Sequence, residues 1–418
     1  MIQVMQSAWA LLFGMGLLMI GNGMQGTLLG IRGELENFST LEMSIVISAY
    51  FVGFLGGSRM APGMIRRVGH VRVFAALASL ISGVMIMYPA LPDPWVWTFG
   101  RVLIGFCFSA VYVTAESWLN NAASNENRGQ ALSAYMIVQT AGIVAAQALL
   151  LTADPSGYVL FVIPSILVSI AITPILLSIS PTPAFETTRP TSIKDLLGYS
   201  PLGCVGMFLL GGIFAAQFGM SAVYGTRAGL SIAQISTFVS MFFVGAIITQ
   251  YPIGWMSDRL DRRLLIVAVS LVGGAGAIVG ILFGDIFVFL LVSAFVMGGT
   301  ANPLYSLLIA HTNDFIDPEE MAGASGGLIF INGLGAIGGP LITGWAMDTT
   351  GPSGFFWFTL VLFAMMALYG SYRVTQRATI DVADTASYSP ILPVAGAMAV
   401  EVAQDMAIED ALEEAQSD

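Results

Sequence analysis

The stretch Gly254-Trp-Met-Ser-Asp258-Arg259-Leu-Asp261-Arg262-Arg263-Leu264-Leu265 decides how the rest of the chain is read. Five charges crowd positions 258 to 263, and an apolar run of more than twenty residues lies on each side. Hydrocarbon offers no water to such groups, so the stretch reads as a tight turn at a membrane surface joining two spanning helices. Three arginines in so short a turn place it in the cytoplasm.

Composition agrees. With 56% apolar residues, 10% charged residues and a mean hydropathy of +0.81, 418 residues carry more apolar surface than a water-soluble core hides. The reading is an all-α polytopic membrane protein. Cys107 and Cys204 both sit inside apolar runs and read as small buried hydrophobes. The net charge of −11 is local: nine acids and no base follow Arg377, and removing them from the 26 leaves 17 against 15 bases. That balance gives no reason to expect a nucleic-acid partner.

Apolar runs predict spans near 8–30, 42–63, 73–91, 96–119, 130–152 and 158–179, then 201–224, 233–256, 264–284, 286–310, 323–347 and 354–372. Each is long enough to cross about 30 Å of hydrocarbon. Twelve transmembrane helices therefore fall into two groups of six. Residues 1–180 form the first bundle and 201–372 the second. A polar linker occupies 181–200, with a short surface helix at 192–198, and an acidic cytoplasmic tail occupies 373–418. Within the tail, 398–416 has the pattern of an amphipathic helix or of a disordered segment. The first span reads as a retained helix and not as a cleaved signal.

With the amino terminus inside, twelve arginines and lysines fall in cytoplasmic segments, and Arg32 and Arg227 fall outside. This bias predicts a multi-pass protein of the plasma (cytoplasmic, inner) membrane with both termini cytoplasmic. A shift of 192 to 194 residues places Arg67 on Arg259, Gly105 on Gly299, Glu126 on Glu320 and Gly129 on Gly323, so the two halves are pseudo-symmetric.

The pattern Gly254-x-x-x-Asp258-Arg259-x-x-Arg262-Arg263 resembles the signature loop of the major facilitator superfamily. That loop falls between the second and third helices and more loosely between the eighth and ninth. Arg66-Arg67-Val68-Gly69 occupies the first position, with Arg66 in the slot usually held by Asp. Arg101-Val-Leu-Ile-Gly105 is similar to the superfamily's fourth-helix motif, and Asn127-Arg128-Gly129 to the Arg-Gly that opens the fifth helix. The run through Glu116-Ser-Trp and Tyr135-Met most resembles a YcaD-like bacterial branch. The fifth helix lacks the Gly-Pro of drug–proton antiporters; Gly338-Gly339-Pro340 lies in span eleven instead. The resemblance implies a secondary transporter working by alternating access.

Arg101, Gly105, Ser109, Tyr112 and Glu116 fall within about 80° of one helical face at 100° per residue. The stripe should therefore face protein or a watered cavity. Arg101 suits a tether to neighbouring backbone, a contact to an anionic group, or the tuning of proton coupling. Glu116 suits a gate, an ion-pair partner of Arg128, or a proton carrier. Asn22 and Gln25 in span one, Gln139 in span five, Gln217 and Tyr224 in span seven, Asn302 and Tyr305 in span ten, and Asn332 in span eleven complete the expected cavity set. The superfamily lines its cavity with spans one, four, seven and ten, which favours these positions. Gln217, Ser221 and Tyr224 are expected on one face, and Asn302-Pro303 is expected to break span ten.

Arg66, Arg67, Gly69, Arg128, Gly254, Asp258, Arg259, Arg262 and Arg263, together with Asp314, Asp317, Glu319 and Glu320, are the expected gating charges and loop residues.

The expected partners are a small-molecule solute, a proton as the coupling ion, and the bilayer, with the protein a monomer. A passive facilitator and a non-transporting sensor of the same fold are the competing readings. Gly323-Ala-Ser325-Gly326-Gly327 mimics a nucleophile elbow, but no strand precedes it and no histidine follows. Two histidines and two buried cysteines predict no metal or cofactor site, and the chain is expected not to be an enzyme.

Overall fold

The computed structural model of the chain describes residues 2–122, 128–177, 192–316, 321–376, 388 and 391. Residues 181–191, Asp317, Glu319 and Glu320, and the stretch 398–416 lie outside the described residues.

Among the described residues, twelve helical stretches are long and apolar enough to cross a membrane. They are built from α1 (Ile2–Leu35), α2 (Thr40–Val68), α3 (His70–Ala90), α4 (Pro94–Ala122), α5 (Arg128–Leu149) and the pair α6 (Val159–Ala171) and α7 (Thr173–Leu177). A short α8 (Ile193–Tyr199), capped by Ser192, matches the helix expected in the linker. The second set is α9 (Pro201–Ala215), a π turn at Ala216–Met220, α10 (Ser221–Arg227), α11 (Ile232–Ser257), α12 (Arg262–Phe283), α13 (Phe287–Asn313), α14 (Met321–Thr350) and α15 (Gly354–Val374).

Short polar signals set the ends of these helices. Ser39 and Glu42 form a reciprocal capping box that starts α2. Gly69, with φ of +82°, turns the chain from α2 into α3, a conformation that favours glycine. Asp261 accepts from the Arg263 amide at 2.9 Å and caps α12.

The chain divides into two compact units. The first comprises Met1–Thr187 with Phe218–Val239, and the second comprises Thr188–Gln217 with Ser240–Asp418. The second half of span seven and the start of span eight thus belong to the first unit.

Each unit has the same internal joints. In the first, a methyl on Gly53 would sit 1.9 Å from the Val102 carbonyl oxygen, and one on Gly105 would sit 1.9 Å from the Tyr50 carbonyl oxygen. In the second, Gly245 faces the Phe295 carbonyl oxygen at 2.1 Å and Gly298 faces that of Phe242 at 2.2 Å. All four residues of this joint are displaced by 192 or 193 positions from their counterparts. Gly142 against the Gly16 carbonyl oxygen recurs as Gly335 against that of Phe208 at the same shift. Glycine is required here because helices in lipid gain by close backbone approach.

One expectation is corrected. Span ten is continuous through Asn302 and Pro303. Pro303 cannot donate to the Gly299 carbonyl four residues back, and Thr249 of α11 places its hydroxyl on that oxygen instead. In span seven a π turn at Ala216–Met220 changes the angular step per residue between Gln217 and Ser221, and Gln217, Ser221 and Tyr224 are all buried.

Candidate functional site

In the first unit, α4 carries its polar stripe inward. Arg101, Ser109, Tyr112 and Glu116 are all buried. Close contact of α2 with α4 at Gly53 and Gly105 brings Tyr50 beside Arg101, whose Cζ lies 4.7 Å from the ring centroid. Arg101 forms no hydrogen bond among the described residues, and its Nε and Nη1 are buried without a partner. A guanidinium tethering helices would donate to carbonyls. This one is held by an aromatic face, with donors to spare.

One side of the same stripe meets α1. Asn22 donates from Nδ2 to the Tyr112 hydroxyl at 2.9 Å, and that hydroxyl reaches Met19 Sδ at 3.5 Å. Gln25 donates weakly to Asn22 Oδ1 at 3.5 Å, and its own Oε1 is buried without a partner. Asn22, Gln25 and Tyr112 therefore form one connected group. Gln147 of α5 closes the neighbouring layer, accepting from Thr27 at 3.1 Å and donating to the Gly23 carbonyl at 3.2 Å.

Glu116 lies fifteen residues from Arg101, about 22 Å along the helix. It is 3% exposed, and the Tyr135 hydroxyl donates to its Oε1 at 3.5 Å. Gln139 stands one turn beyond Tyr135 on α5 and is also buried. Arg128, the partner expected for Glu116, has a side chain outside the described residues. One residue along from Glu116, Ser117 pairs with buried His70 at 3.0 Å. Tyr224 belongs to this unit and packs on Phe238, ring centroids 5.4 Å apart.

The amides of the second unit are spent differently. Asn332 donates to the Met207 carbonyl at 3.0 Å, joining α14 to α9, and Asn302 donates to the Gly298 carbonyl of its own helix at 3.2 Å. Gln217 donates to the Met297 carbonyl at 3.3 Å while its Oε1 stays buried without a partner. Tyr305 is buried, with its ring 6.0 Å from Phe214. Ser325 donates to the Met321 carbonyl one turn back on its own helix. No group of three or more metal-ligating side chains occurs among the described residues.

The charged turn at 258–263 forms a network of ion pairs and hydrogen bonds. Arg262 pairs with Asp314 at 2.5 Å, both side chains at most 3% exposed, and takes Ser257 Oγ at 3.1 Å. Asp258 lies 3.7 Å from Arg262 Nη2, and Arg263 pairs with Asp261 at 2.8 Å. Arg259 stacks over Trp255 at 4.4 Å. Arg66 and Arg67 are exposed on the matching turn of the first unit.

Residues 11–231 and 202–397 match the family model described as Major Facilitator Superfamily. The chain belongs to the major facilitator superfamily. Relatives in this superfamily include the uncharacterized MFS-type transporter YcaD of Salmonella arizonae, 26% identical over 349 residues, covering 81% of this chain and 88% of that protein. An uncharacterized MFS-type transporter of Yersinia pestis is 27% identical over 345 residues, with 81% and 88% covered. Among solved structures, a mutant of the nucleoside transporter NupG superposes with a TM-score of 0.72 at 15% identity, covering 88% of this chain and 99% of that one. A bacterial homologue of the human lysosomal transporter Spinster, inward-facing and occupied, gives 0.70 at 13% identity, with 92% and 98% covered. The protein is thus a multi-pass membrane transporter with the major facilitator fold.

Sequence reasoning found Arg101 and Glu116 but not Tyr50 or Tyr135 as their neighbours. A tyrosine one turn before Gly53 on the helix facing Gly105 was the available signal for Tyr50, and it means something only once α2 and α4 are known to touch. Nothing in the spacing pointed to Tyr135 except its place in the YcaD-like run.

Proposed function

We propose that this superfamily member is a secondary transporter of a small solute bearing an anionic group, working by alternating access in the cytoplasmic membrane with both termini cytoplasmic. The observation that carries the reading is Arg101: a buried cation in span four, on an aromatic face, with two nitrogens lacking any acceptor. Keeping such a charge within a span costs about 2.5 to 3.5 kcal/mol on insertion scales. A carboxylate or phosphate of the solute would supply a missing acceptor through a charge-assisted hydrogen bond. Asn22, Gln25 and Tyr112 would contact the solute's neutral polar groups, and Gln139 lies toward the Glu116 end. The bias of arginines toward one set of turns supports the orientation.

Glu116 is the proposed proton carrier, since it is a carboxylate buried within a span and accepts from the Tyr135 hydroxyl. Arg262, Asp258 and Asp314 are the proposed charges of the gate. The test is a thermal-shift screen of the purified protein against anionic, zwitterionic and neutral metabolites, followed by uptake into proteoliposomes. Stabilisation by an anion class, lost in Arg101→Gln, is the expected result; stabilisation by neutral solutes alone overturns the anionic assignment. Glu116→Gln should preserve solute exchange and abolish its response to a pH gradient. Unchanged pH response in that variant would make the protein a passive facilitator.

A further inference from the structure

Two residues beyond the last span, Tyr388 and Ile391, are seated on the second unit by a set of specific bonds. The Tyr388 amide donates to Asp258 Oδ1 at 2.9 Å. Its phenolic oxygen accepts from Gln250 Nε2 at 3.0 Å. The same Gln250 nitrogen reaches Ser306 Oγ at 3.2 Å, and the Ile391 amide donates to that Oγ at 2.9 Å. Ser306 donates in turn to the Ile391 carbonyl at 3.2 Å, and Ile391 is 3% exposed. Every polar group of α11 and α13 in this set is matched by one from the tail.

The receptor is legible on α11. Gln250, Gly254 and Asp258 stand four residues apart and share one face. The absent side chain at Gly254 makes the notch for the tyrosine: a methyl there would lie 2.6 Å from Tyr388 Cδ1 and 2.7 Å from Cε1. Ser306 of α13 forms the other wall. The distance is easily covered, because twelve residues from Gln376 to Tyr388 can extend about 40 Å. Burial, helped by the nearby Asp258 carboxylate, pushes the Tyr388 phenol above its ordinary range, so the docked ring is neutral at physiological pH.

We infer that Gln250, Gly254, Asp258 and Ser306 form a docking site for the chain's own Tyr388-x-x-Ile391 segment, and that the docked segment is a strap restraining the charged turn after α11. The acid it holds is Asp258, the carboxylate of the signature turn, and the notch it fills is that turn's glycine. While the strap is seated, Asp258 has one oxygen committed to the tail and α11 is tied to α13 through it. Movement of the turn requires the strap to leave. The site thus sets how freely the turn rearranges, whatever solute the transporter carries.

The test is amide hydrogen exchange on the full-length protein in nanodiscs, which needs no solute. In the wild-type chain the Tyr388 and Ile391 amides should exchange at least about tenfold more slowly than the same amides in a free peptide of residues 384–394. Gly254→Ala should abolish that protection while leaving the helix intact, because alanine is the better helix former. Tyr388→Ala should also speed exchange of the amides at 256–262 and leave the α2–α3 turn at 66–70 unchanged. A fluorescent 384–394 peptide should bind the Tyr388→Ala, Ile391→Ala double variant saturably, and bind the same double variant carrying Gly254→Ala at least about tenfold more weakly. Unprotected amides in the wild type, protection that survives Gly254→Ala, or a turn whose exchange ignores Tyr388 would each overturn the inference. Peptide binding that ignores Gly254 would do the same.

Discussion

Gly105→Ala and Gly298→Ala are the same perturbation made in two places, and comparing them separates packing from function. An added methyl at Gly105 would lie 1.9 Å from the Tyr50 carbonyl oxygen, and one at Gly298 would lie 2.2 Å from that of Phe242. A carbon facing a carbonyl oxygen rests at about 3.3 Å, so each helix pair must part by roughly 1 Å or more. Overpacking of this kind costs about 1 to 3 kcal/mol, and both variants should lose apparent melting temperature by similar amounts. Only Gly105→Ala moves Tyr50, whose ring holds Arg101 at 4.7 Å. A cation over an aromatic face contributes about 0.5 to 2 kcal/mol depending on desolvation. Gly105→Ala should therefore weaken anion-dependent thermal stabilisation by several-fold, while Gly298→Ala leaves the relative stabilisation unchanged. The assay is the same thermal-shift titration for both proteins. If neither variant loses stability, the helices are not as close as described. If both lose it and anion binding falls equally, Tyr50 has no special part in holding Arg101.

The buried Arg262–Asp314 pair should behave as a unit: Asp314→Asn alone is expected to cost about 3 to 5 kcal/mol in a denaturant titration, and Arg262→Met with Asp314→Leu to recover most of it. Thr249→Val should leave the Gly299 carbonyl without a donor, at about 1 to 3 kcal/mol, and Pro303→Ala should rescue it by restoring the missing amide; additive losses in a double-mutant cycle would refute the link. The raised Tyr388 phenol makes strap docking fully effective below the free tyrosine value near 10 and progressively weaker as pH rises above it. The difference between ultraviolet titrations of the wild type and Tyr388→Phe should isolate one tyrosinate that appears above the free tyrosine value; a normal midpoint in that difference would contradict the docking.

The local chemistry of the chain was enough to specify the twelve spans and the turns between them, and its motifs carried the resemblance to the superfamily. Hydrocarbon forces each crossing segment to satisfy its own backbone, so an apolar run of sufficient length can be read as a helix without knowing its neighbours. Charges at 258–263 and 66–72 mark turns for the same reason, and the 192-residue echo marks the repeat. Partnership is a different matter, because it depends on which helices touch and how closely. Tyr50 meets Arg101 because two glycines let α2 and α4 approach, and Tyr135 meets Glu116 because α5 crosses beside α4. The break expected at Pro303 does not occur because Thr249, fifty-four residues earlier, supplies a hydroxyl. Gln217 and Tyr224 are separated by a π turn that periodicity cannot register, and they belong to different compact units. Tyr388 lies in a stretch whose composition suggests only an acidic tail, and its place is decided by a notch at Gly254 that exists only once α11 and α13 are packed. Segment identity follows from solvent and chain; the pairing of side chains follows from contacts between residues far apart in sequence, and these only the folded molecule specifies.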